Sequence, residues 1–177
     1  MEFRPARADE LPRLCEMLEN AKERLRLLGL TQWQSGIPNG EMLAADIAAG
    51  RSFVLAEQGE LLASAAICFG EDESYREIDG AWPNNEPYAA IHRVFTAQDA
   101  LRKGCGTLLL QKAETFCLRR GVRNLRVDTH RGNLPMQALL RRCGFSLCGV
   151  IILQNTPEID PERLAYHKTL TTKEESR

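Results

Sequence analysis

The order of apolar patterns along this 177-residue chain predicts an α+β fold with a mixed, mostly antiparallel sheet. Short apolar runs separated by turn-forming residues occur near both ends and indicate antiparallel strands. Two stretches repeat apolar residues at steps of three and four, which indicates helices. A strand, a helix and a strand also follow one another over residues 88–129, which predicts a right-handed crossover between two central parallel strands.

The first part of the chain predicts one strand, two helices and a hairpin. Leucines and Cys15 recur at helical spacing before Gly29, and a shorter pattern ends at Gly50, so each glycine closes a helix. Gln58 and Gly59, between two apolar runs, indicate the turn of the hairpin. The predicted elements are a strand at Glu2–Ala6, a helix at Ala8–Leu28, a loop at Leu30–Asn39, a helix at Glu41–Ala49, and strands at Phe53–Ala56 and Leu61–Phe69.

The second part predicts the crossover unit, a short helix ended by Gly144 and two last strands. Residues 1–170 are expected to form a single domain, since this length can bury a core of its own. Residues Thr171–Arg177 are polar and are expected to be a frayed tail. The predicted elements are a turn-rich acidic segment at Glu71–Glu86, strands at Tyr88–Thr96, Leu125–Thr129, Phe145–Leu153 and Arg163–Leu170, and helices at Thr107–Arg120 and Asn133–Arg142.

Composition favours a globular protein of the cytoplasm. The net charge of −1 indicates no strong attraction to nucleic acid or to a membrane, and no apolar run reaches the length of about 18 residues of a membrane span. Residues Met1–Pro5 lack the apolar core of a secretion signal. The six cysteines form no C-x-x-C pair, so we expect free thiols and no metal site; Cys143 and Cys148 are spaced like ligands but have no supporting partners.

The loop Leu101-Arg102-Lys103-Gly104-Cys105-Gly106-Thr107 carries the clearest chemical signal. It follows an apolar strand and precedes a helix, whose first amide groups have no partner within the helix. With two glycines and two basic side chains, such a helix end favours binding of a pyrophosphate. A dinucleotide fingerprint would need a third glycine where Leu109 stands, although Asp128 lies near the expected acidic position. Alone, a pair of glycines can also simply end a loop.

In context, the chain resembles the GNAT superfamily of acyl-CoA-dependent N-acetyltransferases over Met1–Leu170, most strongly over Ile91–Ile151. The family loop has the form [QR]-x-x-G-x-[GA], and here Leu101 stands at its first position. A second matching block comprises Arg126-Val127-Asp128-Thr129-His130, Asn133-Leu134-Pro135-Met136 and Gly144-Phe145. The resemblance implies helices on both faces of the sheet and acetyl-CoA as the acyl donor, with no metal.

The resemblance also implies which residues hold acetyl-CoA. The strand before the loop pairs its backbone with pantetheine, and one of its amides faces the oxygen that becomes charged during transfer. The helix-starting asparagine reaches the pantetheine arm, although it also suits the role of an N-cap. The residues concerned are Val94, Phe95 and Thr96 in the strand, Arg102, Lys103, Gly104, Cys105, Gly106 and Thr107 in the loop, and Asn133.

Two histidines are candidates for the general base. His92 stands in the strand where many relatives carry a glutamate, and an imidazole suits proton transfer near neutral pH, although it could equally be a packed strand residue. His130, at the end of the next strand, is the second choice, while His167 is expected to be structural. Many relatives carry a tyrosine as general acid where this chain has Leu140. Either another group or water protonates the thiolate, or its protonation matters little, because a CoA-type thiol is already a fair leaving group.

Residues before the cofactor strand are expected to shape the acceptor pocket. Trp33 and Trp82 lie in predicted loops, where they either line a pocket or seal the edge of the core. Glu77 lies in the acidic segment, which either attracts a cationic amine or is simply solvated. The favoured activity is acetylation of a primary amine of a small molecule or peptide, and a homodimer is left open. The alternative is a non-catalytic acyl-CoA-binding or partner-binding module, favoured by Leu101 and Leu140.

Overall fold

The computed structural model describes residues 1–171, so residues 172–177 of the predicted tail lie outside the described part. Its strands are β1 (Glu2–Pro5), β2 (Ser52–Glu57), β3 (Glu60–Phe69), β4 (Asp79–Gly80), β5 (Tyr88–Thr96), β6 (Asn124–Thr129), β7 (Ser146–Ile152) and β8 (Glu162–Thr169). Its helices are α1 (Leu11–Leu27), α2 (Gly40–Ala48), α3 (Cys105–Arg119) and α4 (Leu134–Arg142).

All eight strands form one sheet in the order β1-β2-β3-β5-β6-β8-β7-β4. Among the strands of residues 1–171, only β5 and β6 run parallel, and α3 connects them; the other neighbours are antiparallel. Helices α1 and α2 pack together, as do α3 and α4, and helices cover both faces of the sheet. The predicted α+β fold is therefore confirmed. Within residues 1–171, the helices are too short or too polar to cross a membrane.

Three predicted boundaries differ from the structure for identifiable reasons. The first helix starts as a 3-10 turn at Ala8–Glu10 and becomes α1 at Leu11. Helix α3 begins earlier than predicted because Gly104, in the left-handed conformation with φ of 80°, ends the loop. The acidic segment contains β4, which pairs so closely with β7 that a Cβ on Gly80 would stand 2.2 Å from the carbonyl oxygen of Cys148.

The centre of the sheet opens between its two parallel strands. Paired residues run only from Tyr88 opposite Asn124 to Ala90 opposite Arg126. Beyond that point β5 continues to Thr96 and β6 continues to Thr129 as separate strands. The far end of β5 still pairs with β3, so its open edge is the one that faces β6.

The core has a large cluster of aliphatic and phenylalanine side chains and a smaller cluster that contains two tyrosines. Phe116 of α3 packs on Phe53 with ring centroids 4.5 Å apart, and Phe3 stacks on Phe53 at 5.3 Å. The smaller cluster centres on Tyr75 and Tyr88, with Trp82 packed against it. All six cysteines are free thiols; Cys105, Cys117 and Cys143 are buried and the other three are half-buried.

Candidate active site

A cavity of about 980 Å³ lies where β5 and β6 separate. Successive residues of a strand point to opposite faces of the sheet, yet both Ile91 and His92 line this cavity, as do both Val127 and Asp128. The cavity therefore passes through the sheet at the opening. Helices α1, α2 and α4 and the residues between β7 and β8 form its walls.

His92 stands at the cavity wall between two carboxylates. Its Nε2 lies 3.0 Å from Oδ2 of Asp72, and its Nδ1 lies 3.7 Å from Oδ1 of Asp128. The first distance is a hydrogen bond and the second is too long for one. The hydrogen bond from His92 holds the pKa of Asp72 below its ordinary value, against the opposing effect of burial. Asp72 therefore stays ionised and orients the imidazole ring.

Tyr75 completes this group from the side of the aromatic cluster. Its hydroxyl donates a hydrogen bond of 2.7 Å to Oδ1 of Asp128. Burial raises the pKa of Tyr75 well above its ordinary value, and the charge of Asp128 adds to this effect. Tyr75 is thus a permanent donor to Asp128. We refer to Asp72, Tyr75, His92 and Asp128 as the His92 cluster.

The acidic segment brings Asp72 and Tyr75 to the cavity through local bonds. Asp72 caps the 3-10 turn Glu73–Tyr75 by accepting the Ser74 amide at 2.9 Å, while its own amide donates to the Tyr88 hydroxyl at 2.7 Å. Trp82 Nε1 donates to the Tyr75 carbonyl at 2.9 Å. The predictions singled out this segment but not Asp72. Its Asp-x-Ser spacing, typical of a capped turn, is the local signal that could have found it.

A bulge in β5 directs Arg93 away from the sheet. Ser64 lies opposite Phe95 and Ala66 lies opposite His92, so β5 carries an extra residue here, and Arg93 adopts a φ of 51°. Arg93 Nε donates to Oδ2 of Asp46 at 2.7 Å, and this carboxylate of α2 is only 3% exposed. The ion pair holds the unusual backbone conformation in place.

The glycine loop lies beside the cavity at the start of α3. Arg102 and Gly104 have φ values of 59° and 80°, and among residues 1–171 no side chain caps the helix, so its first amides remain open to a ligand. Arg102 lines the cavity, and both it and Lys103 are exposed. Gly106 serves packing instead, because a Cβ there would stand 3.2 Å from Leu139 of α4.

The remaining loop residues differ in what they can offer. Cys105 is buried, so it can contribute only its backbone, whereas Thr107 is half-buried in the first turn of α3. In the strand, Val94, Phe95 and Thr96 all line the cavity. Some of the predicted cofactor residues therefore line the cavity wall, and the others lie in the loop next to it.

Asn133 is the N-cap of α4, which is one of the two roles that the sequence predicted for it. Its Oδ1 accepts the Met136 amide at 3.2 Å, and its Nδ2 donates to Oε1 of Gln32 at 3.1 Å. It also lines the cavity, so capping does not remove it from the site. Leu140, further along α4, is fully buried in the core.

Trp33 lines the cavity and connects two loops. Its amide donates to Oε1 of Glu158 at 2.8 Å, and Oε2 of Glu158 lies 3.4 Å from a guanidinium nitrogen of Arg163. Both charged side chains are almost completely buried. A hydrogen bond to the buried, ion-paired Glu158 carboxylate therefore joins the loop before α2 to the loop before β8 at the cavity.

Three of the five predicted catalytic and acceptor residues do not line the cavity. His130 Nε2 lies 2.9 Å from Asp160, and its Nδ1 accepts the Gly132 amide at 3.0 Å, so both nitrogens hold a turn. Glu77 is exposed away from the cavity. The Trp82 ring packs against the Arg126 guanidinium, whose central carbon lies 4.1 Å from the ring centroid. Trp82 therefore lies at the edge of the core, where its bond to the Tyr75 carbonyl helps to hold the segment that carries Asp72 and Tyr75.

His167 is buried and only 2% exposed. Burial lowers its pKa to about 4, and the neighbouring charge of Arg126 adds to this effect. No group of three or more histidine, cysteine or acidic residues within residues 1–171 is arranged to hold a metal ion.

Comparisons with known proteins agree with this architecture. The family model described as the acetyltransferase (GNAT) family matches residues 16–145. The structure is similar to that of a GNAT-family acetyltransferase from Streptococcus agalactiae, at 29% identity and a TM-score of 0.86, covering 97% of this chain and 96% of that one. No significant match was found among curated proteins.

Two more distant structures share the fold. One is a ribosomal-protein-alanine N-acetyltransferase from Brucella melitensis, with 22% identity, a TM-score of 0.69, and coverage of 96% of this chain and 100% of that one. The other is the ribosomal-protein-S18-alanine N-acetyltransferase from Escherichia coli, with 16% identity, a TM-score of 0.64, and coverage of 97% and 94%.

Proposed function

Because the chain belongs to the acetyltransferase (GNAT) family, we propose that it transfers an acetyl group from acetyl-CoA to a primary amine of a small molecule or peptide. The observation that carries this proposal is the cavity through the sheet. It connects the glycine loop, which suits a phosphorylated donor, with the His92 cluster, which suits an amine. The names of two structural neighbours keep peptide amines among the acceptors to be tested.

The chain's own groups fit the donor. The open amides at the start of α3, with Arg102 and Lys103 beside them, suit the pyrophosphate. The edge of β5 from Val94 to Thr96, which β6 does not pair, suits the amide groups of pantetheine. A backbone amide of Phe95 or Thr96 would polarise the thioester carbonyl. Bound acetyl-CoA supplies the activated acyl group.

The His92 cluster fits the work required at the amine. A primary amine arrives mostly protonated, and the carboxylates of Asp72 and Asp128 attract that positive charge. With Nε2 engaged by Asp72, the Nδ1 nitrogen of His92 accepts the proton, directly or through water. The neutral amine then attacks the acyl carbon, the new C–N bond forms, and the C–S bond breaks. The nitrogen loses its second proton to water, and His92 returns the first proton to solvent before the next turnover.

The departing sulfur takes its proton from water in this proposal. Leu140 is buried and has no exchangeable proton, so it cannot act where many relatives place a tyrosine. A thiol with a pKa of about 8.5 is a fair leaving group even when no side chain acts as general acid. Transfer therefore depends mainly on positioning, on polarisation of the carbonyl and on the base.

The test is thiol release from acetyl-CoA with a panel of amines and peptides, with product mass as a second readout. We expect release with at least one acceptor, and its loss in His92→Ala. Calorimetry with acetyl-CoA separates the alternatives. Binding without release on any acceptor would favour a non-catalytic acyl-CoA-binding module, whereas absence of binding would contradict both readings.

A further inference from the structure

Two arginines share one buried carboxylate on the acceptor side of the cavity. Arg93 Nε lies 2.7 Å from Oδ2 of Asp46, and Arg51 Nε lies 3.2 Å from its Oδ1. Asp46 is 3% exposed, and all three residues line the cavity. We refer to these three residues as the arginine pair with its Asp46. Together these residues carry two positive charges and one negative charge.

The surplus charge is accompanied by free hydrogen-bond donors. Within residues 1–171 the structure gives no hydrogen-bond partner to the terminal nitrogens of Arg93, and Arg51 meets only Asp46. A guanidinium presents its donors as a planar fork that matches a carboxylate. The side chain of Arg93 is only 17% exposed, so an anion placed there would be partly shielded from water.

This positive site lies next to the His92 cluster. Arg93 follows His92 directly, so their Cα atoms are about 3.8 Å apart. Cys68 lines the cavity near both groups: burial raises the pKa of its thiol, and the charges of Arg93, Asp46, Arg51 and Asp72 also act on it. The same cavity therefore carries a negative group that suits an ammonium and a positive group that suits an anion, and consecutive residues of β5 contribute to both.

We propose that the acceptor is a free amino acid or a similar amino-carboxylate, whose amine meets the His92 cluster and whose carboxylate meets the arginine pair with its Asp46. This inference rests on the proposed acetyl transfer and narrows its acceptor. A peptide N-terminus carries a neutral amide where a free amino acid carries its carboxylate. The arginine pair thus selects against peptide acceptors.

The experiment compares each amino-carboxylate with its own carboxamide. L-amino acids and ω-amino acids of increasing length are offered with acetyl-CoA, and kcat/KM is measured for each matched pair. For the best acceptor, we expect the carboxylate form to exceed the carboxamide by about ten- to hundredfold, as a hydrogen-bonded charge pair supplies. A ratio near one, or a preference for carboxamides and peptides, would overturn the inference.

The variant Arg51→Gln connects this preference with the arginine pair. Arg51 is 46% exposed, and Arg93 still neutralises Asp46 in the variant, so the fold should be retained. We expect the ratio of carboxylate to carboxamide to fall about tenfold, mainly through KM. Arg26→Gln is the matched control, because Arg26 is exposed and pairs with Glu23 outside the cavity.

The outcomes separate the two proposals. If amines release thiol but the ratio is near one, or is unchanged in Arg51→Gln, acetyl transfer stands and the amino-carboxylate assignment falls. If no compound releases thiol, the proposed function itself fails. Circular dichroism of Arg51→Gln and Arg26→Gln excludes misfolding as the cause of a changed ratio.

Discussion

The two halves of the cavity present different chemical groups to a ligand: backbone groups in one half and side chains in the other. The half proposed to bind the donor uses backbone groups: a left-handed glycine, the open amides of α3, and the edge of β5 that faces β6. The half proposed to bind the acceptor uses side chains from separate segments, with Asp72, His92 and Asp128 at its centre. Backbone groups suit a ligand that stays the same, because substitutions do not remove them. Side chains suit selection of an acceptor, because a substitution can change which acceptor binds. Substitutions in the two halves should therefore affect different kinetic constants.

The strongest test of this division is His92→Gln. Loss of the proposed base should lower kcat by about 10²- to 10⁴-fold, while the KM for acetyl-CoA stays close to its original value. His130→Gln is the matched control, because His130 ends a neighbouring strand but uses both ring nitrogens in a turn. Equal losses of kcat in both variants would contradict the assignment of His92.

A second histidine on the same sheet should affect stability and leave the chemistry unchanged. The pKa of His167 is lowered to about 4 in the folded protein from 6.5, so the unfolded chain binds more protons between these values. Stability is therefore complete above about pH 6.5 and falls toward pH 4 by about 2 to 3 kcal/mol. Urea unfolding at pH 7 and pH 4.5 should show a smaller loss for His167→Gln than for the parent, and identical losses would contradict this.

Asp72→Asn keeps the proposed base His92 but removes the charged group that orients its ring. Removing this charge weakens the hydrogen bond that orients the imidazole ring. The maximal rate should therefore fall about tenfold, because the ring loses a charged hydrogen-bond partner. Asp160→Asn removes the corresponding partner of His130 outside the cavity, and it should leave kcat unchanged. An unchanged kcat in Asp72→Asn would contradict the assigned role.

The smallest expected effect tests the donor half. Gly104 and Gly121 stand at opposite ends of α3 with φ values of 80° and 75°, and an added Cβ meets no atom within 4 Å at either. Alanine at each should lower the free energy of unfolding by about 1 kcal/mol. Only Gly104→Ala should raise the KM for acetyl-CoA, by about two- to fivefold, because it disturbs the helix amides. An equal effect of both variants on KM would indicate a global cause.

What could be predicted from the sequence follows the same division. Strand β5 and the glycine loop were predictable because glycine spacing and an apolar run are local signals. Asn133 was predictable as a cap for the same reason. These features needed no knowledge of distant contacts.

The acceptor half depends on which segments the fold brings together. In the acidic segment the sequence favoured Glu77, but the turn that buries Tyr75 directs Asp72 to His92 instead. The arginine pair with its Asp46 requires the bulge in β5, which shifts the register against β3 by a residue. No periodicity in the sequence reports such a shift.

The opening between β5 and β6 has a thermodynamic consequence for the whole protein. The edges of β5 and β6 face each other inside the sheet but are paired only as far as Ala90 and Arg126, so the backbone groups beyond that point do not bond to each other. A ligand that binds there in the folded state alone stabilises the fold by mass action. If acetyl-CoA inserts there as proposed, saturating acetyl-CoA should slow amide hydrogen exchange along Val94–Thr96 and Val127–Thr129.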